Sequence, residues 1–593
     1  MYTNKFDKLM KEYYRAKMRI TSRLFYKDFL ILILVLSLII LPSILGLIYI
    51  KLFGVNIVFW DQWAIVPLIK KLYTGALTLD DLFAQHNEHR IFFPRITMLA
   101  LAHITQYNTI AEMYFSWIIV FITLFLILKM YIQDFGSSIS VMIKFIPIAW
   151  LIFNFRQFEN ILWGWQISAY LSILGFVAAV YMLDKSEKIN NWFIMAIFSG
   201  IISTFSFFNG LFVWPVGLVF IILSKINNKI SIIIVWTISG ILIWSAYFYN
   251  WIKPSHHPSL FFAVEHLISS ITYLIVNIGA PLAFEQRHAF GTGIILSIFI
   301  IISLIFTIRN RYTAENAKWI CFILFSFLSS AALTIGRSGF GVEQGLSSRY
   351  VTFTLLGVIG VYLIILHLYS KSQKCSVLYG MILSIILVGI TVGYVDGVKE
   401  GGNILEGRKL MVNNLIDYEW TAAENLKMLY PNEDILRERA KILEEYKLNV
   451  FTSAQIIPEW QLLKRIQGGI MAIDYVGKKL YVQEINVVNM DKNIEQFVEI
   501  RGWAADDLTK DGEIKTFLVF RGDSEEIVIP TKKTHRPDVA SYFGVKSYEQ
   551  SGWSAILRLK EFEEKCYNIS LRILRANGEE YFELAGDKPI CFI

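Results

Sequence analysis

Charged side chains are scarce in this chain. Only 18% of its 593 residues are Asp, Glu, Lys or Arg, against about 25% in an ordinary soluble domain, and mean hydropathy is +0.48. These values exclude a soluble globular fold. They argue against a nucleic-acid partner as well, because the net charge of +7 is modest and concentrated near the N-terminus. Cysteine is also rare, four residues in all, which rules out a disulfide-built scaffold. No Cys/His spacing suited to a metal is present, nor a glycine-rich phosphate loop, nor a serine nucleophile elbow.

What the chain has instead is apolar runs of membrane-spanning length. They include Phe29 to Ile50, Ala111 to Ile132, Ile230 to Tyr249, Ile294 to Ile308, Trp319 to Ile335, Tyr350 to Leu368 and Val377 to Tyr394, and none follows Val395. The predicted fold is an α-helical polytopic membrane protein with a C-terminal extracytoplasmic β-sandwich. Residues 1–28 form a basic cytoplasmic N-terminus, in which Lys5, Lys8, Lys11, Arg15, Lys17, Arg19, Arg23 and Lys27 outnumber the acids. No small-residue cleavage site follows the first apolar run, so that span is expected to stay as an anchor.

Lysine placement sets the sidedness. If Ile91 to Gln106 lies along the outer surface rather than spanning, the loops carrying Lys185 with Lys188 and Lys225 with Lys229 all become cytoplasmic. That choice makes Leu260 to Ala283 re-entrant or surface-lying and leaves about eleven crossings. Residues 29–395 are then the transmembrane domain, with an outer loop at 54–107. Residues 396–477 read as a charged helical linker, with apolar positions at helical spacing in Glu433 to Tyr446. From 478 to 593 the pattern becomes short strands: Lys479 to Val487, Gln496 to Trp503, Thr516 to Phe520, Glu526 to Pro530, Trp553 to Leu559, Tyr567 to Arg575 and Glu580 to Leu584. Cys566 and Cys591 fall in this region, and spacing leaves both a disulfide and two free thiols open.

Polar and aromatic residues gather in the turns this topology places outside. The loop after the first span holds Trp60, Asp61, Asp80, Asp81, His86, Glu88, His89, Arg90 and Arg95; another turn carries Arg156, Glu159, Trp163, Trp165 and Gln166; a third leads through Arg337 to Arg349 and Tyr350. Asp61 is a candidate proton acceptor, and the arginines are candidates for a phosphate. Plainer roles compete. Asp61 would serve as a helix cap in an interfacial aromatic belt, Arg349 as a snorkelling side chain, and the Arg156 turn as a membrane anchor. Asp80 and Asp81 suit capping. In the β region Trp503, His535, Arg536, Asp538 and Trp553 are candidates for a glycan, although the two tryptophans suit a core better.

Trp60-Asp61 opening the first outer loop, His89-Arg90 to Pro94-Arg95 closing it, and Ser348-Arg349-Tyr350 before a late span together resemble the GT-C superfamily of integral-membrane glycosyltransferases. With Leu429-Tyr430-Pro431 and the Arg536 to Ala540 segment, the set looks like bacterial cell-envelope members. The resemblance implies a sugar moved from a polyprenyl-phosphate donor to a cell-envelope glycan or glycolipid, at the bilayer's outer face. It puts Asp61 at the transfer centre, Glu88 or Glu159 as a second acid, and Arg349, Arg337, Arg90 or Arg95 on the donor phosphate. Trp60, His86, His89, Arg156, Glu159, Trp163, Gln166 and Tyr350 are then expected to line the substrate. Some members use a divalent cation, Mg or Mn, and His86, Glu88 and His89 form either a metal site or a hydrogen-bonded turn. Rival classes are a transporter or lipid flippase and a membrane acyltransferase using His86 or His89 as base.

Overall fold

A computed structural model describes residues 3–593 apart from 227–228, 255–257, 260, 417, 419–420, 422, 453–459, 461–462, 477–478, 481–487, 491–496, 511–513, 523–524, 560–561, 576–579, 587 and 593. The chain divides into two compact units, Met1–Thr452 and Ser453–Ile593.

Unit one is helical. Among the described residues nine helices are long and apolar enough to cross a membrane: Asp28–Phe53, Thr109–Phe135, Ile139–Ile161, Gly164–Asp184, Lys229–Phe248, Gln286–Arg309, Ala317–Phe340, Ser348–Lys371 and Gln373–Ile416. Four shorter apolar helices accompany them, at Phe92–Thr105, Asn191–Thr204, Phe208–Leu223 and Leu267–Leu282. The 14-residue helix Phe92–Thr105 is about 21 Å long at 1.5 Å per residue, short of a bilayer core of about 30 Å. Ser348–Lys371 runs through the middle, buried along its spanning window. Outer helices turn Ile, Leu and Phe side chains outward, for example Ile241, Leu242 and Ile305, as a lipid-facing surface requires.

The last long helix, Ser376–Ile416, passes Val395 without a break. Gly393 and Gly397 explain its path: a Cβ at either would collide with Asn154 Oδ1 or Phe155 Cβ. Their bare backbones let the helix pass close to the Asn154 turn, and Tyr49 bonds the Gly397 carbonyl from the first span at 2.6 Å.

Unit two is built from two sheets sharing one apolar core. One orders its strands as Lys532–Thr534, Gly552–Arg558, Phe497–Ala505, Ile470–Val476 and Lys479–Leu480; the other centres on Cys566–Leu574, flanked by Lys515–Arg521, Glu580–Ala585 and Ile590–Phe592. Ile500, Leu518, Trp553, Leu557, Leu571 and Phe582 fill the space between them. The 396–477 boundary needs correcting, because strand structure begins at Lys464–Arg465 and Ile470–Val476, inside the expected helical linker. Gly468-Gly469, both at positive φ, turn the chain between these two strands. The strand IMAIDYV after them lacks the strict alternation of a half-exposed strand, and its pairing with Phe497–Ala505 shifts register between Ile473 and Tyr475. Most of the expected strand Lys479 to Val487, and residue 496 of the next, lie outside the described residues.

Cys566 and Cys591 are disulfide-bonded across paired strands, 25 residues apart in sequence. Closing a loop of that size removes chain entropy from the unfolded state, worth about 3 kcal/mol. Reduction of the full-length protein in detergent should therefore lower the thermal transition of this unit and speed its proteolysis. Cys566→Ser should do the same without reductant; transitions unchanged by either treatment would show the bond to be ornamental.

Candidate functional site

The loop between the first span and Thr109 is held by side chains that satisfy its backbone. Asn56 accepts from the Thr109 amide at 2.9 Å, and the Thr109 hydroxyl accepts from the Ile57 amide at 3.0 Å. A 3₁₀ turn, Trp60–Ala64, follows. Trp60 sits at φ 47°, a conformation that strains a bulky residue and concentrates at functional sites. Its amide is fixed on the Leu429 carbonyl at 2.9 Å. Gln62 is the internal strut: its Oε1 accepts from the Phe59 amide at 3.3 Å, its carbonyl takes the Tyr107 hydroxyl at 3.0 Å, and its Nε2 donates to Glu112 at 2.6 Å.

Further along, Thr78 and Asp81 form a capping box, with Lys71 on Asp81 at 2.5 Å, so Asp81 is a capping residue. A two-stranded hairpin then pairs Gln85–His86 with His89–Arg90, and Asn87 turns it at φ 48°, as asparagine tolerates. Arg90 donates to the Tyr247 carbonyl at 2.6 Å, to the Phe83 carbonyl at 2.9 Å and to the Tyr249 carbonyl. Buried Arg95 donates to the carbonyls of Leu82, at 2.9 Å, and Ala84. These two arginines are loop clamps in this structure, their donors aimed at the backbone rather than at a cleft.

The hairpin brings its side chains to groups from distant segments. His86 Nε2 lies 3.2 Å from Asp61 Oδ1, and its ring packs on Trp165 at 4.7 Å between centroids. Glu88 takes Arg337 at 2.5 Å. His89 Nδ1 accepts from the Phe208 amide at 3.1 Å, its Nε2 is 3.5 Å from Glu88, and its ring stacks on Phe207. On the opposite side Arg349 lies 3.8 Å from Glu159, whose carboxylate also accepts from Ser347 and Ser348. Buried Tyr350 adjoins, and Asn160 holds the Arg349 carbonyl at 3.0 Å.

Burial disfavours the charged form of Asp61, but the His86 hydrogen bond and the positive field of His86, His89 and Arg349 outweigh it, holding the carboxyl below its usual range. Arg349 thus contributes to the field that keeps Asp61 ionised. Glu88 is likewise buried yet pulled down to about 2 by His89 and Arg337. Because burial lowers His89 itself to about 4, that imidazole is neutral at neutral pH, and Arg337 is the partner that keeps Glu88 ionised there.

Asp61, His86, Glu88, His89, Arg337, Arg349, Glu159 and Tyr350 thus form one polar cluster linked by ion pairs and mutual electrostatic influence, and the Trp60 side chain at its start is exposed. Trp163 and Gln166 frame it from behind: both are buried, and the Trp163 indole donates to the Phe59 carbonyl at 3.2 Å. Arg156 departs from the substrate-lining expectation. It is buried over the Phe284 ring and donates to the carbonyls of Ala280, Ala283 and Leu346, tying three segments together. Among the described residues no three His, Cys, Asp or Glu side chains are arranged to hold a metal ion. His86 and Glu88 are paired with Asp61 and Arg337, while His89 Nε2 lies against Glu88. In the β unit Trp553 is core, fully buried.

Two participants were not singled out from sequence. Glu112 is a carboxylate in an apolar run, a signal in itself. Arg408, buried with its guanidinium over Phe59 and donating to the Leu162 carbonyl, was hidden in a segment read as linker.

No family model matches the chain, and no solved structure matches it. An "Uncharacterized protein" of Archaeoglobus fulgidus is 26% identical over 264 residues, which cover 40% of this chain and 66% of that protein's length. That similarity carries no functional information.

Proposed function

We propose that the chain is an integral-membrane glycosyltransferase that moves a sugar from a polyprenyl-phosphate donor to a cell-envelope glycan on the outer face. The observation that carries this reading is the gathering of an ionised carboxylate, Asp61, in the field of Arg349, with the Glu88–Arg337 and Glu159–Arg349 pairs in the same cluster and the Trp165 ring against His86, near the ends of apolar helices. An acceptor hydroxyl would lose its proton to Asp61 as its oxygen bonds the anomeric carbon. The bond from that carbon to the phosphate oxygen breaks, and the departing phosphate carries its electron pair and charge to Arg349 and Arg337. A fixed guanidinium stabilises such charge without reorganising, while indole faces suit a sugar ring. Asp61 is the group here whose oxygens suit Mg or Mn, and no step of this reading runs through a metal. The β unit is auxiliary.

The test is transfer by the purified protein in liposomes carrying polyprenyl-phosphate sugars, read by mass spectrometry of the lipid and of added glycan acceptors. Activity with no donor of this class would overturn the reading. The His86–Asp61 pair favours one second reading, acyl transfer with His86 as base, and acyl donors in the same assay separate the two.

Sidedness follows the same proposal: cytoplasmic N-terminus, about eleven crossings, polar cluster and β unit outside. The Cys566–Cys591 disulfide supports this placement, since such bonds persist in oxidising compartments. Ser186 in the Lys185 loop is buried, whereas Lys188 is exposed, as is Tyr542 in the β unit. Lys188→Cys should be labelled by an impermeant maleimide only after permeabilisation, and Tyr542→Cys in intact cells. The reverse pattern would invert the topology.

A further inference from the structure

Against the turn that carries Asp61 lies a buried carboxyl group that the chemistry above does not use. Glu112 sits in the first turn of the Thr109–Phe135 helix, 1% exposed. Its Oε2 accepts from Gln62 Nε2 at 2.6 Å. Its other oxygen has no hydrogen-bond partner among the described residues, and no cation is paired with it there. An unsatisfied buried carboxyl oxygen is costly, so the group is kept at a cost to folding.

Two observations show what it holds. Gln62 follows Asp61 directly, and its amide is fixed at both ends, Oε1 on the Phe59 amide and Nε2 on Glu112, so Glu112 anchors the turn that carries Asp61 beside strained Trp60. Space around it is also cleared by sequence: a Cβ on Gly164 would collide with Glu112 Oε2 and lie 2.6 Å from Glu112 Cβ and 3.0 Å from Gln62 Nε2. Only glycine leaves room there, and Gly164 lies between Trp163, bonded to the Phe59 carbonyl, and Trp165, packed on His86. The strut thus adjoins both halves of the pair, since Gln62 follows Asp61 in the chain and Gly164 precedes Trp165, whose ring packs on His86.

We propose that Glu112 is a positioning residue: through Gln62, and with Gly164 as its bare wall, it sets where the Asp61 carboxylate stands against His86. This rests on the transferase reading for its kinetic consequence but not for its geometry. Displacing a reacting group by about 1 Å commonly costs about 10²-fold. Glu112→Ala should therefore lower kcat about 10- to 100-fold with KM for the donor less affected, because Glu112 and Gln62 make no hydrogen bond or ion pair with the donor-phosphate arginines Arg349 and Arg337. Glu112→Gln keeps an oxygen acceptor of the same reach and should retain most of the activity. Gln62→Leu cuts the same bond from the other end, should reproduce the loss, and serves where Glu112→Ala does not fold.

A second readout does not depend on transfer. In a Cys375→Ser background the rate at which a small methanethiosulfonate modifies D61C reports the position of that side chain, and it should change in E112A and Q62L but not in E112Q. If no protein transfers sugar yet the D61C rate responds in this pattern, the transferase reading fails and the strut stands. Unchanged kcat and an unchanged D61C rate in both E112A and Q62L would overturn the proposal, and so would an E112Q protein as impaired as E112A.

Discussion

Asp61→Asn should abolish transfer while leaving expression and thermal stability near normal. The amide has the shape of the carboxylate and can still bond His86, but it is a far weaker proton acceptor, and losing a general base costs about 10²–10⁴-fold. The pH profile gives an independent check. A base must be ionised to work, so activity is present above its pKa and is lost as pH falls through it. Burial alone would raise the Asp61 pKa, and the His86 hydrogen bond is the first of the effects that lower it, so the acid limb should lie below the ordinary carboxylate range. His86→Phe removes that bond and leaves burial in place, so the limb should move to higher pH. An Asp61→Asn protein as fast as wild type would remove Asp61 from the mechanism. A limb that stays put in the His86 variant would show that the pair has no electrostatic consequence.

Arg349→Ala should be the most damaging change on the donor side. Of the two arginines paired with carboxylates in the cluster, Arg337 is held by Glu88 at 2.5 Å, whereas Arg349 is 3.8 Å from Glu159 and its side chain is 36% exposed. Arg349 is thus the guanidinium more able to turn to an arriving phosphate. Its loss removes stabilisation of charge that grows as the phosphate departs, so turnover should fall about 10²- to 10³-fold, the usual cost of one such donor, and donor KM should rise. Arg349→Lys retains charge without the planar fork and should fall between. The measurement is initial rate against donor concentration for the three proteins. Equal kinetics would reduce Arg349 to a snorkelling side chain and move the phosphate to Arg337.

Much of the fold was legible because membrane spans and strands write their period and length into composition. Lys515–Arg521 and Glu526–Pro530 lie within a residue of where alternation placed them, since a strand packed on one side must repeat every two residues. The linker boundary was not legible: Ile470–Val476 owes its strand conformation to a partner more than twenty residues away. Among the site candidates, residue type announced that carboxylates and arginines were available but not which would be free. Arg90, Arg95 and Arg156 look like Arg337 and Arg349 in sequence, yet backbone carbonyls claim the first three.

By itself, then, the sequence determined that this chain has helices suited to a bilayer and a separate β unit, and that its polar residues cluster in the turns between spans. Hydropathy and period are local properties, written residue by residue. Which of those polar residues meet was decided only by tertiary structure, because Asp61, His86, Arg337 and Arg349 come from separate segments, and a side chain's charge state and freedom depend on neighbours that the chain order does not name. Glu112 shows this most directly: its meaning comes from Gln62 and Gly164, two residues that packing alone sets against it.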